Sequence, residues 1–480
     1  TNVMATGIDG DLFPEPIVKH SYWVTRAGSL NPIPHLVEFE NVRREFKILS
    51  ALKTTDPVEI DGTTQAGGWV ILSGAKAGSS GESYPYSSLN GLEIAGGDST
   101  VSGLVINQFP GIGLVLTERG NNHIFNNRLG TDVDGRTGLG NGAELRVSRP
   151  EALFEEIPEY LSPLQAFLTR FYMGGLLINS PNNLIGGHLQ EEANLIAGNG
   201  SNGDETTYLS NTPFISDLII SGSRAVNNRV IGNIVGTNIS GHQLPQGIFP
   251  KGIHVMAGVL INNGAIGTEL RDNRTPAIFL ETAKLTQIIN NELGPRPEIS
   301  TPSHRGSVIV QLSSDTTIQN NTFFVSEDPN SFDEAKDPMI NAALVTITSA
   351  ITLDGATHVE IRNNTFKGGI GLEMAGAEQV TVTGNRFEAA SDPNMAIEGR
   401  FWRVDTFNST QVLIGGVSVA DSNLFTMTHP VGDSDPRHGI LRMWGNYSTN
   451  SPLEAHDVQF IGNTVLPHPE VPPSLNAMVT

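Results

Sequence analysis

The chain has 480 residues with 50 acidic and 29 basic side chains, a formal net charge of −21. Nucleic-acid phosphates and anionic membrane surfaces would repel such a protein. It has no cysteine, which excludes disulfides, thiolate metal sites and a cysteine nucleophile, and no apolar run reaches the length that spans a bilayer.

Charged residues are only 16% and aromatics 6%, while glycine reaches 52 and proline 28. That balance describes short strands joined by tight turns, not helices with salt-bridged faces. Residues 1–47, with Tyr22, Trp23 and several prolines, are expected to form an arm that caps the first coil. No signal peptide opens the chain, so Thr1 is expected to be the mature terminus of an exported protein.

From residue 48 onward one short pattern recurs: an apolar residue, a spacer, Asn or Gly, then Asn, any residue, and another apolar one. It reads IFNNRL at Ile124–Leu129 and IGNIV at Ile231–Val235. It reads IINNEL at Ile288–Leu293, IQNNTF at Ile318–Phe323, IRNNTF at Ile361–Phe366, VTGNRF at Val382–Phe387 and FIGNTV at Phe460–Val465, with a partial copy at Ile196–Asn199. The repeating asparagines are Asn127, Asn199, Asn233, Asn291, Asn321, Asn364, Asn385 and Asn463. Asn364 and Asn385 lie 21 residues apart and Asn291 and Asn321 lie 30 apart. A period in the twenties with strands of four to six residues is that of stacked coils, and the longer gaps predict two or three coils between copies. Asn suits the turn because it tolerates a left-handed φ and its amide can bond along the stack.

Residues 145–173 interrupt the pattern. Ser148, Pro150 and Glu151 resemble a helix start, and Leu153, Phe154, Ile157, Leu161, Leu164, Phe167, Leu168 and Phe171 follow at near-helical spacing, broken by Pro158 and Pro163. A short helical insertion is predicted, as a cover on the flank, a subunit contact or a lid. The division is thus an arm at 1–47, coils at 48–465 and an extended proline-rich tail at 466–480. Phe154, Tyr160, Phe167, Phe171 and Tyr172, with Tyr22 and Trp23 of the arm, are the candidate assembly contacts.

Candidate chemistry is sparse. Asp132-Val133-Asp134-Gly135 looks like half of a calcium loop, yet Asn238-Ile239-Ser240-Gly241 looks like the same turn without the carboxylates. The turn is therefore read as structural, with calcium at Asp132 and Asp134 the alternative; no other cofactor is expected. Two polar runs could hold an acid, a base and an anion clamp: Asp433-Ser434-Asp435-Pro436-Arg437-His438 followed by Arg442, and Glu398, Arg400, Arg403 and Asp405. Asp405, Asp433, Asp435, Arg437 and His438 are the catalytic candidates. Trp402, Arg403 and Trp444 lie beside these runs and are the candidate carbohydrate-binding residues. Neither run matches a specific catalytic motif, and no H-E-x-x-H, G-x-S-x-G or phosphate loop occurs.

One resemblance joins these readings. Residues Asp56 to Gln65 (DPVEIDGTTQ), Gly91 to Ile94, Ser99 to Asn107 (STVSGLVIN), Gly130-Thr131-Asp132, Asn183 to Gly187 (NLIGG), Asn194 to Asn199 (NLIAGN) and Gly236-Thr237-Asn238 resemble the large bacterial family of right-handed parallel β-helix repeat proteins, of pectate-lyase-like fold. The resemblance implies an all-β, right-handed parallel β-helix outside the cell, secreted or on the cell surface. The family mixes surface proteins with carbohydrate-active relatives, so fold does not fix chemistry. The leading expectation is a structural β-helix that self-assembles into a surface layer, filament or adhesive fibre. A polysaccharide-active lyase, hydrolase or epimerase with a groove along the helix is the alternative, and a phage-type receptor-binding spike the second. The partners expected are copies of the chain and a polysaccharide, with no nucleic acid and no membrane insertion.

Overall fold

The structure, a computed structural model, describes residues 24–26, 37–40, 43–47, 52–75 except 66, 90–142, 172–199, 214–241, 252–256, 264–294, 307–324, 349–388 except 368–369, 401–426, and 438–466 except 445, 449–450 and 454–455. It divides into two compact units, Thr1–Ala265 and Ile266–Thr480.

Each unit is built from coils of three strands. In the first, Leu92–Ile94, Thr100–Ser102 and Leu104–Asn107 make one coil and Leu114–Leu116, His123–Phe125 and Arg128–Leu129 the next. Strand for strand they pair in parallel: Leu114 opposite Leu92, His123 opposite Thr100, Arg128 opposite Val105. Three parallel sheets result, called here C, A and B in the order in which the chain visits them. The second unit repeats the scheme, with Ser349–Asp354 in sheet C, Thr357–Arg362 in sheet A and Thr365–Lys367 in sheet B. At the start of the first unit, Val24–Arg26 pairs antiparallel with Val58–Asp61, and Val37–Glu40 forms a hairpin with Arg43–Lys47. Arg43–Lys47 in turn pairs in parallel with Val70–Ser73, so the coil pattern begins before residue 48.

The asparagine motif is the corner between sheets A and B. In the second unit each ladder asparagine hands its amide to the next: Asn273 to Asn291, then Asn321, Asn364, Asn385, Asn423 and Asn463, with Nδ2 to Oδ1 distances of 2.9–3.1 Å. The same Oδ1 also accepts the backbone N–H of the previous ladder asparagine, as from Asn321 to Asn364 at 2.9 Å. The second Nδ2 proton goes to a carbonyl of the previous coil, as from Asn364 to Ile318 at 2.8 Å. From Asn273 to Asn423 these side chains are buried, Asn364 at 1% exposure, and both Nδ2 protons of Asn364 have partners, as burial demands.

The two properties that suit Asn to this corner fall on two different residues. The first residue of the pair takes the left-handed φ: Asn126 at 51°, Asn290 and Asn320 at 57°, Asn363 at 55°. Asp272 and Gly384 do the same work at 56° and 63°. The second residue, Asn in each copy of the motif, makes the ladder, which in the first unit starts from Leu104 N–H on Asn127 Oδ1 at 3.0 Å. The gap from Asn385 to Asn463 spans two coils, as expected, with Asn423 between them; the gap after Asn127 is instead a single coil with a long excursion, since Asn127 and Asn194, 67 residues apart, are bonded neighbours. Loop length costs little closure entropy, so coils tolerate it. Asn199 also belongs elsewhere than expected. Asn194 stands in the row of Asn127 and Asn233, while Asn199 joins Asn141 and Asp217 in a separate row between sheet B and sheet C, Asp217 lying on the sheet C strand Phe214–Ser221.

Apolar residues flanking the corner point inward. Phe323, Phe366, Phe387 and Phe425 are fully buried and stack with centroids 4.9, 4.5 and 4.6 Å apart, following the strand spacing. The predicted insertion lies outside the described residues, except that its last residues, Tyr172 and Met173, open the sheet C strand Tyr172–Ile178.

Replacing Asn364 by Ala strands the Asn321 donors and the Ile318 carbonyl, and is expected to cost about 2–4 kcal/mol. Asn363→Gly keeps a backbone that glycine adopts freely and should stay within about 0.5 kcal/mol of the parent. Urea denaturation of both variants separates the two roles; equal losses would refute the division.

Candidate functional site

Sheet C of the second unit carries the residues that the sequence singled out. Its strands run Ala277–Glu281, Ser307–Gln311, Ser349–Asp354, Ile370–Ala375, Phe401–Phe407 and His438–Trp444. Alternation sends Leu372, Met374, Val404 and Thr406 into the core, all 0% exposed, and leaves Glu373 and Asp405 half-buried on the outer face. Register then aligns Thr352, Glu373, Asp405 and Arg442 in one row across the strands. A second row runs Glu281, Gln311, Asp354, Ala375, Phe407 and Trp444. Gln311 Nε2 donates to Asp354 Oδ2 at 2.9 Å.

Of the two polar runs, Arg403 and Asp405 lie on one strand and His438 and Arg442 on the strand that pairs with it, while Glu398 and Arg400 lie outside the described residues. Phe401 pairs with His438, Trp402 with Gly439, Asp405 with Arg442, and Phe407 with Trp444. Arg403 lies on the same strand, between Trp402 and Asp405. Asp433, Asp435 and Arg437 lie outside the described residues, as do Phe154, Tyr160, Phe167, Phe171, Tyr22 and Trp23. Glu373 and Asp354 are the residues that sequence reasoning missed. The apolar alternation of Ile370–Ala375 marks Glu373 as outward, but only the register makes it the neighbour of Asp405. Parallel strands set such neighbours about 4.8 Å apart at the backbone. The face therefore presents acidic groups side by side, suited to accept hydrogen bonds from hydroxyl donors.

In the first unit the Asp132 turn is held by its own backbone. Asp132 N–H donates to Thr137 O at 2.9 Å and Gly135 N–H to Asp132 O at 3.0 Å. Asp132 Oδ1 accepts the Arg136 N–H at 2.8 Å. Burial pushes the Asp132 carboxyl upward, but hydrogen bonds from the Thr137 hydroxyl and from the N–H groups of Arg136, Thr137 and Gly135 outweigh it and hold the group below its ordinary range. The Asn238 turn stacks directly on it, with Ile239 N–H on Gly135 O at 3.0 Å and Gly241 N–H on Asn238 O at 2.9 Å. Asn238 Oδ1 takes the Ser240 N–H at 3.0 Å, the same job that Asp132 does with a carboxylate. Among the described residues no group of three or more His, Asp or Glu side chains comes together as a metal-binding cluster.

Parallel coils with buried amide ladders define a right-handed parallel β-helix protein, and sequence comparison agrees: residues 248–420 match the family described as "Right handed beta helix region". No curated protein sequence matches the chain. Among solved structures, the Dettilon tailspike protein is similar at 12% identity and a TM-score of 0.40, over 83% of this chain and 61% of its own. PfbA, a surface adhesin of Streptococcus pneumoniae, gives 13% identity and a TM-score of 0.30, over 78% of this chain and 71% of its own. DFA-IIIase from Arthrobacter chlorophenolicus A6, solved with DFA-III, gives 11% and 0.33, over 88% and 89%. This chain spans 61% of the tailspike chain's length. At these identities none of the three bears on what the present chain does. Among the described residues no helix is long and apolar enough to cross a membrane.

Because the folded Asp132 carboxyl titrates below its unfolded value, its stabilisation is full above the ordinary aspartate range, about pH 4, and is lost as pH falls through the lower folded value. Asp132→Asn keeps an acceptor for Arg136 N–H without the charge. Protection of the Gly135–Thr137 amides, taken relative to the intrinsic exchange rate at each pH, should therefore fall on acidification in the parent and change less in the variant; identical pH profiles would refute the role.

Proposed function

We propose that this protein is an extracellular β-helix whose outer sheet C face in the second unit engages an extended polysaccharide. The observation that supports it is the register of Glu373 and Asp405 on paired strands, with Arg442 next in the row and Trp444 on the neighbouring row. Adjacent carboxylates accept hydrogen bonds from sugar hydroxyls, and charge-assisted hydrogen bonds are the stronger kind. A flat parallel sheet repeats such groups at a fixed interval, which suits a chain of like units better than a compact ligand.

A second reading, cleavage of the bound chain, rests on the same pair. Glycoside hydrolysis with retention uses two carboxyl groups about 5–5.5 Å apart, and neighbouring strands bring two acidic side chains to that range. In that reading Glu373 and Asp405 share the roles of acid and nucleophile.

Affinity gel electrophoresis against a panel of soluble polysaccharides, with a reducing-end assay on the same mixtures, is the test. At least one polysaccharide should retard the parent. The double variant Glu373→Gln, Asp405→Asn should weaken that binding about tenfold or more, while Glu360→Gln on sheet A should not. New reducing ends that disappear in the double variant would establish cleavage. No retardation by any polysaccharide, with ordered filaments or sheets in electron micrographs, would overturn both readings in favour of a self-assembling structural subunit.

A further inference from the structure

Far from sheet C in sequence, the outer face of sheet B in the first unit carries a second assembly of chemistry. Ile71 pairs with Val105, Val105 with Arg128, Arg128 with Leu195, and Leu195 with Ile234, so these five positions form one row. Elsewhere an outward row would meet water, but here Val105 is 0% exposed and Leu195 5%. The Asp132 turn folds back over them: a Cβ on Gly135 would lie 2.6 Å from Leu195 Cδ2 and 3.5 Å from Arg128 Nη1. Arg128 is therefore pinned by its stem in an apolar row under a turn.

Its head lies over Trp69, with the guanidinium carbon 4.6 Å from the ring centroid. Its Nη1 is buried and has no hydrogen-bond partner. Burial lowers the guanidinium below its ordinary value, opposed by the nearby Asp132 and Asp134 carboxylates. Asp132, however, is already engaged by the N–H groups of its own turn. Beside Arg128 opens a cleft of about 490 Å³, lined by Gly67, Trp69, Ile71, Arg128, Val133, Asp134 and Arg136. That volume falls in the range of small-molecule sites. The lining holds two guanidinium groups against one carboxylate, an aromatic ring and two aliphatic side chains. In a chain with 50 acidic and only 29 basic side chains, two guanidinium groups lining one cleft are a local exception.

We infer that the Trp69–Arg128–Arg136 cleft binds a ring-bearing carboxylate. The ligand's carboxylate meets Arg136 and the open side of Arg128, and its ring lies against Trp69, Ile71 and Val133. A carboxylate offers Arg136 a charge-assisted partner, a neutral ring offers only the weaker neutral hydrogen bond, and a free inorganic anion leaves the apolar wall unfilled. Two sources share this chemistry, a uronic acid unit of a polysaccharide and a small aromatic acid. Binding here is independent of sheet C, since the cleft draws only on residues of the first unit.

The test is titration of the full chain with sodium glucuronate, sodium benzoate and, as the neutral control, glucose. Isothermal calorimetry is paired with fluorescence, since Trp69 is one of only four tryptophans. Saturable binding of glucuronate or benzoate, but not glucose, is expected. It should weaken about tenfold or more in Arg136→Gln, which removes a charge-assisted contact from an exposed turn. Trp69→Phe should retain binding but lose the fluorescence change. Glu373→Gln on sheet C should change neither. Binding of glucuronate alone identifies the source as an acidic glycan, and of benzoate alone as an aromatic acid. Three results would overturn the inference: no saturable binding of either acid up to millimolar concentration, equal binding of glucose, or full affinity in Arg136→Gln with its thermal unfolding unchanged.

Discussion

The amide ladder at the corner between sheets A and B is the constraint on which the rest of the molecule depends. A strand that turns sharply into the next sheet leaves backbone N–H and C=O groups inside, away from water, where an unpaired group costs about 1–3 kcal/mol. Asparagine satisfies two of them at once and links to its neighbours in the row with the rest of its amide. Its Oδ1 takes two donors from the previous ladder asparagine, and its Nδ2 serves the next asparagine and a carbonyl of the previous coil, as Asn364 does with Asn321, Asn385 and Ile318. No other side chain offers a carbonyl and an amide in one plane at so short a reach except glutamine, which is one methylene too long. Because the bonds run from coil to coil, each turn is fixed by its neighbours. The phenylalanine column beside it, Phe323 to Phe425, inherits its spacing.

With the corner held, the outer face and the loops are free to vary. Excursions of very different length leave and rejoin the coil without disturbing the ladder, as the 21 residues from Asn364 to Asn385 and the 67 from Asn127 to Asn194 show. Where a three-residue turn intervenes, at Gln190–Glu192 and Val419–Asp421, the left-handed position passes to Gly186 and Gly415, with φ of 78° and 88°, and Asn194 and Asn423 still find their rows. Chemistry can therefore be placed at outward positions alone. Glu373 beside Asp405 on sheet C, and Arg128 beneath the Asp132 turn on sheet B, are two products of that freedom, one in each unit.

The fold was legible because the ladder leaves its mark in adjacent letters. Asn-Asn or Gly-Asn between apolar residues records both the left-handed residue and its ladder partner. The register was not legible. Asn199 reads like another copy of the corner, yet stands in a different row from Asn194, because the sequence does not say which of two nearby asparagines faces which turn. The variable loops hid the sites for the same reason. Asp405 and Arg442 stood out as charged residues in a weakly charged chain, but Glu373 becomes their neighbour only through pairing across a loop of unpredictable length. Arg128 gave no signal at all, being an ordinary residue inside the repeat motif; its significance comes from a turn that closes over an outward apolar row.

Backbone hydrogen exchange at the ladder asparagines tests the central claim most directly. The N–H groups of Asn321, Asn364 and Asn385 donate to side-chain oxygens at 2.9 Å, not to a strand partner. If those amides hold the corner, they exchange only when the second unit unfolds, as slowly as the N–H groups of the buried strands. Exchange at the rate of exposed loop amides, while the strands stay protected, would mean that the corner opens without the coil and that the ladder does not hold the fold.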